Sequence, residues 1–197
     1  MSIIPTMDAA QTDRLFWALG EQLATRGARV EFVVIGGSGL LALGLISRPT
    51  GDVDVVALLS GGLLTEPRPL PTTVIEARNQ VARDFNLPED WLNAAPAALL
   101  DFGLPEGFLD RLERRDYGDA LTVHLASRYD QIHFKLYAMV DQGAGKHEAD
   151  LRALEPTRDE LLAAAAWTRM HDPSEGFREQ LVAALAYLGV DDVSLEP

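Results

Sequence analysis

Two carboxylates separated by a single residue are the part of this sequence best suited to chemistry. Asp52 and Asp54 stand at the start of a continuous apolar run over residues 53–59, which has the length of a buried strand. Because residues two apart in a strand point to the same side, the carboxylates are expected to project together and to repel each other without a cation between them. Oxygen ligands on one strand suit Mg²⁺, which completes its shell with water and substrate phosphates. The pair therefore predicts a Mg²⁺ site.

A glycine-serine segment precedes the aspartates. Gly36, Gly37 and Ser38 follow a short β-rich run over residues 31–35 and come before a brief helical pattern over residues 40–46. Glycines let backbone N–H groups approach phosphate oxygens, and the Ser38 hydroxyl adds a donor. The start of the predicted helix would direct its positive end at the same phosphates. We therefore predict that this turn binds a nucleoside triphosphate beside the Mg²⁺ site.

The two motifs are weak when each is taken alone, because glycine turns and exposed aspartate pairs are common. Their order is more restrictive: strand, glycine turn, short helix, an Arg-x-Thr-x-Asp-x-Asp segment over residues 48–54, and an apolar strand. Residues 37–42 also fit the dinucleotide-binding pattern G-x-G-x-x-A. In the dinucleotide-binding (Rossmann) fold the acidic residue lies at the end of the second strand, whereas Asp52 and Asp54 lie at the start of the second predicted strand here. The other alternative is a non-catalytic, partner-binding protein that keeps the glycine turn and the aspartate pair but catalyses no reaction.

The elements that position these residues follow from hydrophobic periodicity and from capping and turn residues. Helices are predicted over residues 8–26, 74–84 and 129–140 and after the N-caps Thr157 and Ser174, and strands over 31–35, 53–59 and 120–125. A loop is predicted over 60–72, and short helices and loops are predicted over 87–108. The pattern predicts an α/β (α+β) fold, in which helices flank a small mixed β-sheet. We expect one domain over residues 1–197, with a catalytic sheet core at about 28–140 and C-terminal helices at about 147–190.

Composition excludes several kinds of site and partner. The chain has no cysteine, which rules out disulfides and thiolate metal sites, and its four histidines lack a zinc-binding spacing. A net charge of −13 argues against non-specific coating of nucleic acid, and we interpret the cluster Arg111, Arg114 and Arg115 as a solvated helix face. No apolar run has the length of a membrane span and no signal pattern opens the sequence, so we expect a cytoplasmic protein without a membrane partner.

A family resemblance covers residues 31–59, EFVVIGGSGLLALGLISRPTGDVDVVALL. This segment resembles the first catalytic segment of the polymerase-β-type nucleotidyltransferase superfamily and is most similar to the AbiEii and MenT group, toxin-like enzymes of bacterial toxin-antitoxin systems. A looser match covers residues 133–154, HFKLYAMVDQGAGKHEADLRAL. The resemblance implies Mg²⁺-dependent transfer of a nucleoside monophosphate from an NTP to the 3′ end of tRNA, with a cognate antitoxin as partner. Protein and small-molecule acceptors stay open.

The resemblance also implies roles for individual residues. The expected catalytic residues are Asp52, Asp54, Lys135 and Asp150, with Asp150 completing the metal site or acting as general base. The expected nucleotide contacts are Gly36, Gly37, Ser38, Arg48, Thr50 and Lys135. The residues themselves leave two alternatives open. Lys135, at the edge of an apolar helix face, either extends to solvent or binds an anion, and Arg48 either contacts a phosphate or pairs with a carboxylate.

Overall fold

A mixed sheet of six strands forms the centre of the protein, and the computed structural model describes residues 6–191 and 193. The strands are β1 (Val30–Ile35), β2 (Val53–Ser60), β3 (Leu63–Thr65), β4 (Leu92–Asn93), β5 (Glu113–Tyr117) and β6 (Leu121–Leu125). Their order is β3-β2-β1-β6-β5, with β4 paired to the start of β2. Because β1 is antiparallel to β2 and parallel to β6, the sheet is mixed, which confirms the predicted fold class.

Helices flank the sheet. They are α1 (Ala9–Thr25), α2 (Gly36–Ala42), α3 (Thr72–Phe85), α4 (Arg128–Gln142), α5 (Gly145–Ala153), α6 (Arg158–His171) and α7 (Glu175–Tyr187), with short 3₁₀-helices at Ala95–Leu100 and Phe108–Arg111. The predicted N-caps Thr157 and Ser174 are confirmed, since each side chain accepts a backbone N–H in the first turn. None of the helices in the described residues is long and apolar enough to cross a membrane.

The sheet has two buried faces because neighbouring strand residues alternate in direction. Val34 of β1 and Val55 of β2 belong to the core formed with α1 and α3. Ile35 and Val56 belong to the core on the opposite face, formed with α4 and α6. Asp54 lies two residues before Val56, so the aspartate pair emerges on the side covered by α4.

A further core joins the helices of the second half of the chain to α2. Leu40 of α2, Leu136 of α4 and Leu151 of α5 are fully buried together with side chains of α6 and α7. This packing holds α4 and α5 against the glycine segment. It thereby brings Lys135 of α4 and Asp150 of α5 close to the strand that carries the aspartates.

The glycine segment differs from its predicted form. Helix α2 begins at Gly36 itself, directly after Ile35, which is the extended N-cap of the helix. Gly36, Gly37 and Ser38 are therefore the first turn of a short helix and not a turn that precedes one. The sequence pattern placed the start of the helix later because glycine has low helix propensity.

Three other predictions also need correction. The arginine cluster lies at a 3₁₀-helix and an edge strand, since Arg114 and Arg115 belong to β5, which pairs with β6. Arg114 and Arg115 each pair with an acidic neighbour at the surface, as predicted for a solvated face, whereas Arg111 pairs with the fully buried Asp130. The predicted loop over 60–72 contains β3, and α5 lies between α4 and the two predicted C-terminal helices. In both cases tertiary pairing or packing forms an element too short for its periodicity to stand out.

Candidate functional site

A cavity of about 500 Å³ opens beside the aspartate pair. Asp52, immediately before β2, and Asp54, within it, both line this cavity, as do Gly36 of α2 and Lys135 of α4. The 3₁₀-helix Ala95–Leu100 and the start of α5 supply further walls. Four of the predicted site residues thus share one cavity, and the two carboxylates reach it from one strand as the period of two requires.

The Asp54 carboxyl is partly buried in the wall of this cavity. Burial raises its pKa to about 6, and the charge of Asp52 acts in the same direction. A side-chain hydrogen bond with Asn93 and the charges of Lys135 and Lys146 lower the pKa in part. A cation beside both carboxylates would relieve the remaining penalty, so this donor set fits Mg²⁺. Within the described residues no group of three or more acidic, histidine or cysteine side chains could hold a metal, so water and phosphate would supply the other ligands.

Gly36 is the position in the glycine segment where a side chain would meet the carboxylate pair. Its φ is +77°, and a Cβ there would lie 2.7 Å from Oδ2 of Asp54. The N–H of Gly36 donates to Oε1 of Gln131 on α4 at 3.1 Å. Gly36 therefore leaves room for the Asp54 carboxylate and ties α2 to α4, two functions that its sequence motif did not indicate.

Three of the predicted nucleotide contacts pack behind the cavity wall. A Cβ at Gly37 would lie 2.8 Å from Oγ1 of Thr50, and the Thr50 hydroxyl lies 3.4 Å from Oδ1 of Asp52. Ser38 is fully buried, and its Oγ has no hydrogen-bond partner in the part of the chain that the structure describes. The structure places Gly37, Ser38 and Thr50 next to the aspartates but outside the cavity lining, so a nucleotide contact for them stays a prediction.

Arg48, Lys135 and Asp150 form a cluster of ion pairs. Arg48 donates from Nε and Nη2 to the two oxygens of Asp150 at 2.6 and 2.5 Å, and Lys135 Nζ lies 2.7 Å from Oδ2. Asp150 is 1% exposed and Lys135 is 5% exposed. Lys135 therefore binds an anion and does not extend to solvent, while Arg48 pairs with a carboxylate. Arg48 and Asp150 line a second, shallower depression of about 460 Å³.

The ion cluster shifts the protonation of both buried partners. Burial raises the pKa of Asp150, but hydrogen bonds from Arg48 and Lys135 outweigh it and hold the pKa below its ordinary value. Burial lowers the pKa of Lys135, and the bond to Asp150 opposes that shift. Asp150 thus favours the charged form of Lys135. The positive charge of Lys135 in turn lowers the pKa of Asp54.

Two polar residues of the cavity were not among the predicted site residues. Lys146 and His147 open α5 and line the same cavity as the aspartate pair. Burial lowers the pKa of His147 to about 4, with the charges of Lys135 and Lys146 acting in the same direction, so the imidazole is neutral at pH 7. In the sequence, Gly143 and Gly145 indicate a turn before these residues. The direction in which α5 leaves that turn depends on how the helix packs, and hydrophobic periodicity does not reveal this packing.

The cavity lining also contains aromatic and acidic residues. Phe102 and Tyr137 line it together with His171, whose ring lies 5.6 Å from Phe102 and 5.5 Å from Tyr137. Asp101 and Asp141 are two further carboxylates of this lining. The cavity therefore combines lysines and the aspartate pair with rings and separate carboxylates.

Comparison with known proteins identifies a family. A family model described as a nucleotidyltransferase of unknown function (DUF6036) matches residues 14–151, a span that includes every predicted site residue from Gly36 to Asp150. No curated protein matches the chain. No solved structure matches it either.

Proposed function

The chain belongs to this family of nucleotidyltransferases, and we propose that it transfers a nucleoside monophosphate from an NTP to an acceptor hydroxyl at Asp52 and Asp54. The observation that carries the proposal is the cavity that both carboxylates share with Gly36 and Lys135. The raised pKa of Asp54 supports a divalent cation at the pair. When bound, Mg²⁺ would lower the pKa of the attacking hydroxyl and neutralise charge on the phosphates.

The proposed step is an in-line displacement at the α-phosphorus. A bond from the acceptor oxygen to the α-phosphorus forms, the bond from that phosphorus to the oxygen bridging to the β-phosphate breaks, and pyrophosphate leaves while the hydroxyl transfers its proton to water. Lys135 lines the cavity, and its charge acts on both Asp54 and Asp150. Its ammonium is placed to offset negative charge that shifts toward the leaving pyrophosphate.

Asp150 is assigned a positioning role within this proposal. Both of its oxygens already accept donors from Arg48 and Lys135, and it is almost fully buried. These contacts suit a residue that fixes two cations beside the cavity better than they suit a metal ligand or a general base. Loss of Asp150 should therefore act on turnover through Lys135.

The acceptor that we propose first is the 3′ end of tRNA, in the role of a toxin that a cognate antitoxin neutralises. This assignment rests on the resemblance of residues 31–59 to the AbiEii and MenT group. Because the protein has a net charge of −13, we expect it to contact only a few phosphates of the tRNA. The carboxylates of Asp101 and Asp141 in the cavity lining favour a small cationic acceptor as the second candidate.

The acceptor is tested by label transfer. Purified protein is incubated with Mg²⁺, each NTP labelled at the α-phosphate in turn, and bacterial tRNA that is either intact or oxidised with periodate, which destroys the 3′-terminal diol. We expect label on intact tRNA only, and none with the Asp52→Asn variant. Label that appears on protein or on a small-molecule fraction would exclude tRNA as the acceptor and retain nucleotidyl transfer.

A further inference from the structure

The lysines of this chain have an unusual distribution. Of the 17 lysine and arginine residues only Lys135 and Lys146 are lysines, and both line the cavity beside the aspartate pair. We propose that Lys146, at the start of α5, binds the β- and γ-phosphates of the incoming nucleotide, opposite the carboxylates that face its α-phosphate. This inference rests on the proposed function and adds a residue that was not among the predicted nucleotide contacts.

The two lysines differ in their partners. Lys135 is buried and its Nζ lies 2.7 Å from Asp150. Lys146 is exposed at the cavity wall, and among the described residues no carboxylate oxygen lies within 4.0 Å of its Nζ. Lys146 lines the same cavity as Asp52 and Asp54, so its ammonium can meet a phosphate chain that binds beside the aspartate pair. Lys146 therefore offers the cavity a positive charge that a neighbouring carboxylate has not neutralised.

The surroundings of Lys146 also favour an anion. Helix α5 spans nine residues from Gly145, and no side chain in the described part of the chain caps its N-terminus. The N–H groups of His147 and Glu148 already donate to the Ala144 carbonyl, so the start of the helix contributes the positive end of its dipole and not free donors from these two residues. His147 beside it lines the cavity and is held neutral by burial and by the two lysines, so it adds a polar contact without a carboxylate's repulsion.

The presence of only two lysines permits a direct test on the native protein. Amine acylation by an N-hydroxysuccinimide acetate is followed by mass spectrometry of the Lys135 and Lys146 peptides, with and without tripolyphosphate or each NTP. We expect saturable protection of Lys146 by at least fivefold. Lys146→Ala should weaken nucleotide binding about tenfold, the size expected for losing one charge-assisted hydrogen bond. Lys146→Arg should bind within about twofold of wild type.

Arg152→Ala is the matched control, because it removes a positive charge from the same helix at a residue paired with Glu148. It should leave nucleotide affinity unchanged. If nucleotides bind and turnover occurs while Lys146 stays unprotected and Lys146→Ala binds normally, the inference is wrong and the proposed function stands. If no NTP protects either lysine and no label is transferred, both are wrong.

Discussion

Burial and the charge of Asp52 disfavour the ionised form of the Asp54 carboxyl in the folded protein, and together they raise its pKa to about 6. The unfolded chain ionises this group near pH 4, so folding becomes less favourable as pH rises from about 4 to about 6, and the penalty persists above pH 6. We predict that Asp54→Asn stabilises the metal-free protein by roughly 1–3 kcal/mol at pH 7.5, as about 1.4 kcal/mol per pKa unit implies, and has little effect at about pH 4. Thermal unfolding across this pH range measures the difference.

The matched control for this residue is Asp141→Asn, which removes an exposed carboxylate from the same cavity. It should not stabilise the protein in the same pH-dependent way. Added Mg²⁺ should stabilise wild type more than Asp54→Asn, because only wild type keeps both carboxylates. Equal stability of wild type and Asp54→Asn at every pH would contradict the raised pKa.

Asp150 has the opposite dependence on pH. Its pKa lies below the ordinary value because donors from Arg48 and Lys135 outweigh burial, so its stabilising contribution is present at neutral pH and is lost as pH falls. We predict that Asp150→Asn lowers the free energy of unfolding by about 3 kcal/mol at pH 7, since it leaves Lys135 buried without its carboxylate. Denaturant unfolding measures this loss.

Glu148→Gln provides the comparison for Asp150, since Glu148 lies on the same helix and pairs with Arg152 at the surface. Its effect on stability should be much smaller, as for other surface ion pairs. The loss in Asp150→Asn should shrink as pH is lowered. A loss that is equal at neutral and acidic pH would indicate that the side chain contributes through packing and not through charge.

At the scale of elements, the first turn of α2 shapes the site through Gly36. Alanine there must keep φ near +77° and would bring a Cβ to 2.7 Å from the Asp54 carboxylate. Gly44 has a similar φ of +70°, but a Cβ there would have no atom of the described residues within 4 Å. Both substitutions cost about 1 kcal/mol of backbone strain. We predict that Gly36→Ala also lowers nucleotidyl transfer at least tenfold, while Gly44→Ala keeps activity within about twofold.

Label transfer and thermal unfolding measured on both glycine variants separate the two effects. We expect the two variants to lose similar stability, and Gly36→Ala to lose much more activity than Gly44→Ala. If Gly44→Ala were as inactive as Gly36→Ala, the defect would come from backbone strain near α2, and the contact between Gly36 and Asp54 would not matter for catalysis.

The sequence predicted the elements better than their contacts. Asp52 and Asp54 were correctly expected in one place because the period of two in a strand is a local property. The glycine segment was found, but its contacts depend on Gln131, which is 95 residues away in the chain. Lys146 was missed because the direction of α5 is set by its packing against α4, and no local pattern encodes that packing.

At the scale of the whole molecule, α4 joins the sheet to the C-terminal helices. Its Phe134 belongs to the core on the sheet, and its Leu136 belongs to the core shared with α5, α6 and α7. Because one helix serves both cores, we predict a single cooperative unfolding transition for the chain. Leu185→Ala in α7, where the side chain is fully buried, should lower the free energy of unfolding by about 2–4 kcal/mol and keep a single transition.

Cooperativity is measured by comparing two probes of the same unfolding curve. Trp91 reports on the core with α1 and α3, and Trp167 reports on the opposite face of the sheet. Single-tryptophan variants that retain one of these residues should give coincident midpoints that agree with far-ultraviolet circular dichroism. Separate midpoints would mean that the C-terminal helices fold as an independent unit.

We propose that Asp52 and Asp54 support transfer of a nucleoside monophosphate. This activity is tested with matched samples of NTP labelled at the α-phosphate or at the γ-phosphate, incubated with protein, Mg²⁺ and a cell extract as the source of acceptor. We expect α-label to enter an acceptor, γ-label to leave as pyrophosphate, and EDTA, Asp52→Asn and Asp54→Asn each to abolish both. Transfer of γ-label to the acceptor, or α-label transfer that survives Asp52→Asn, would exclude the proposed activity.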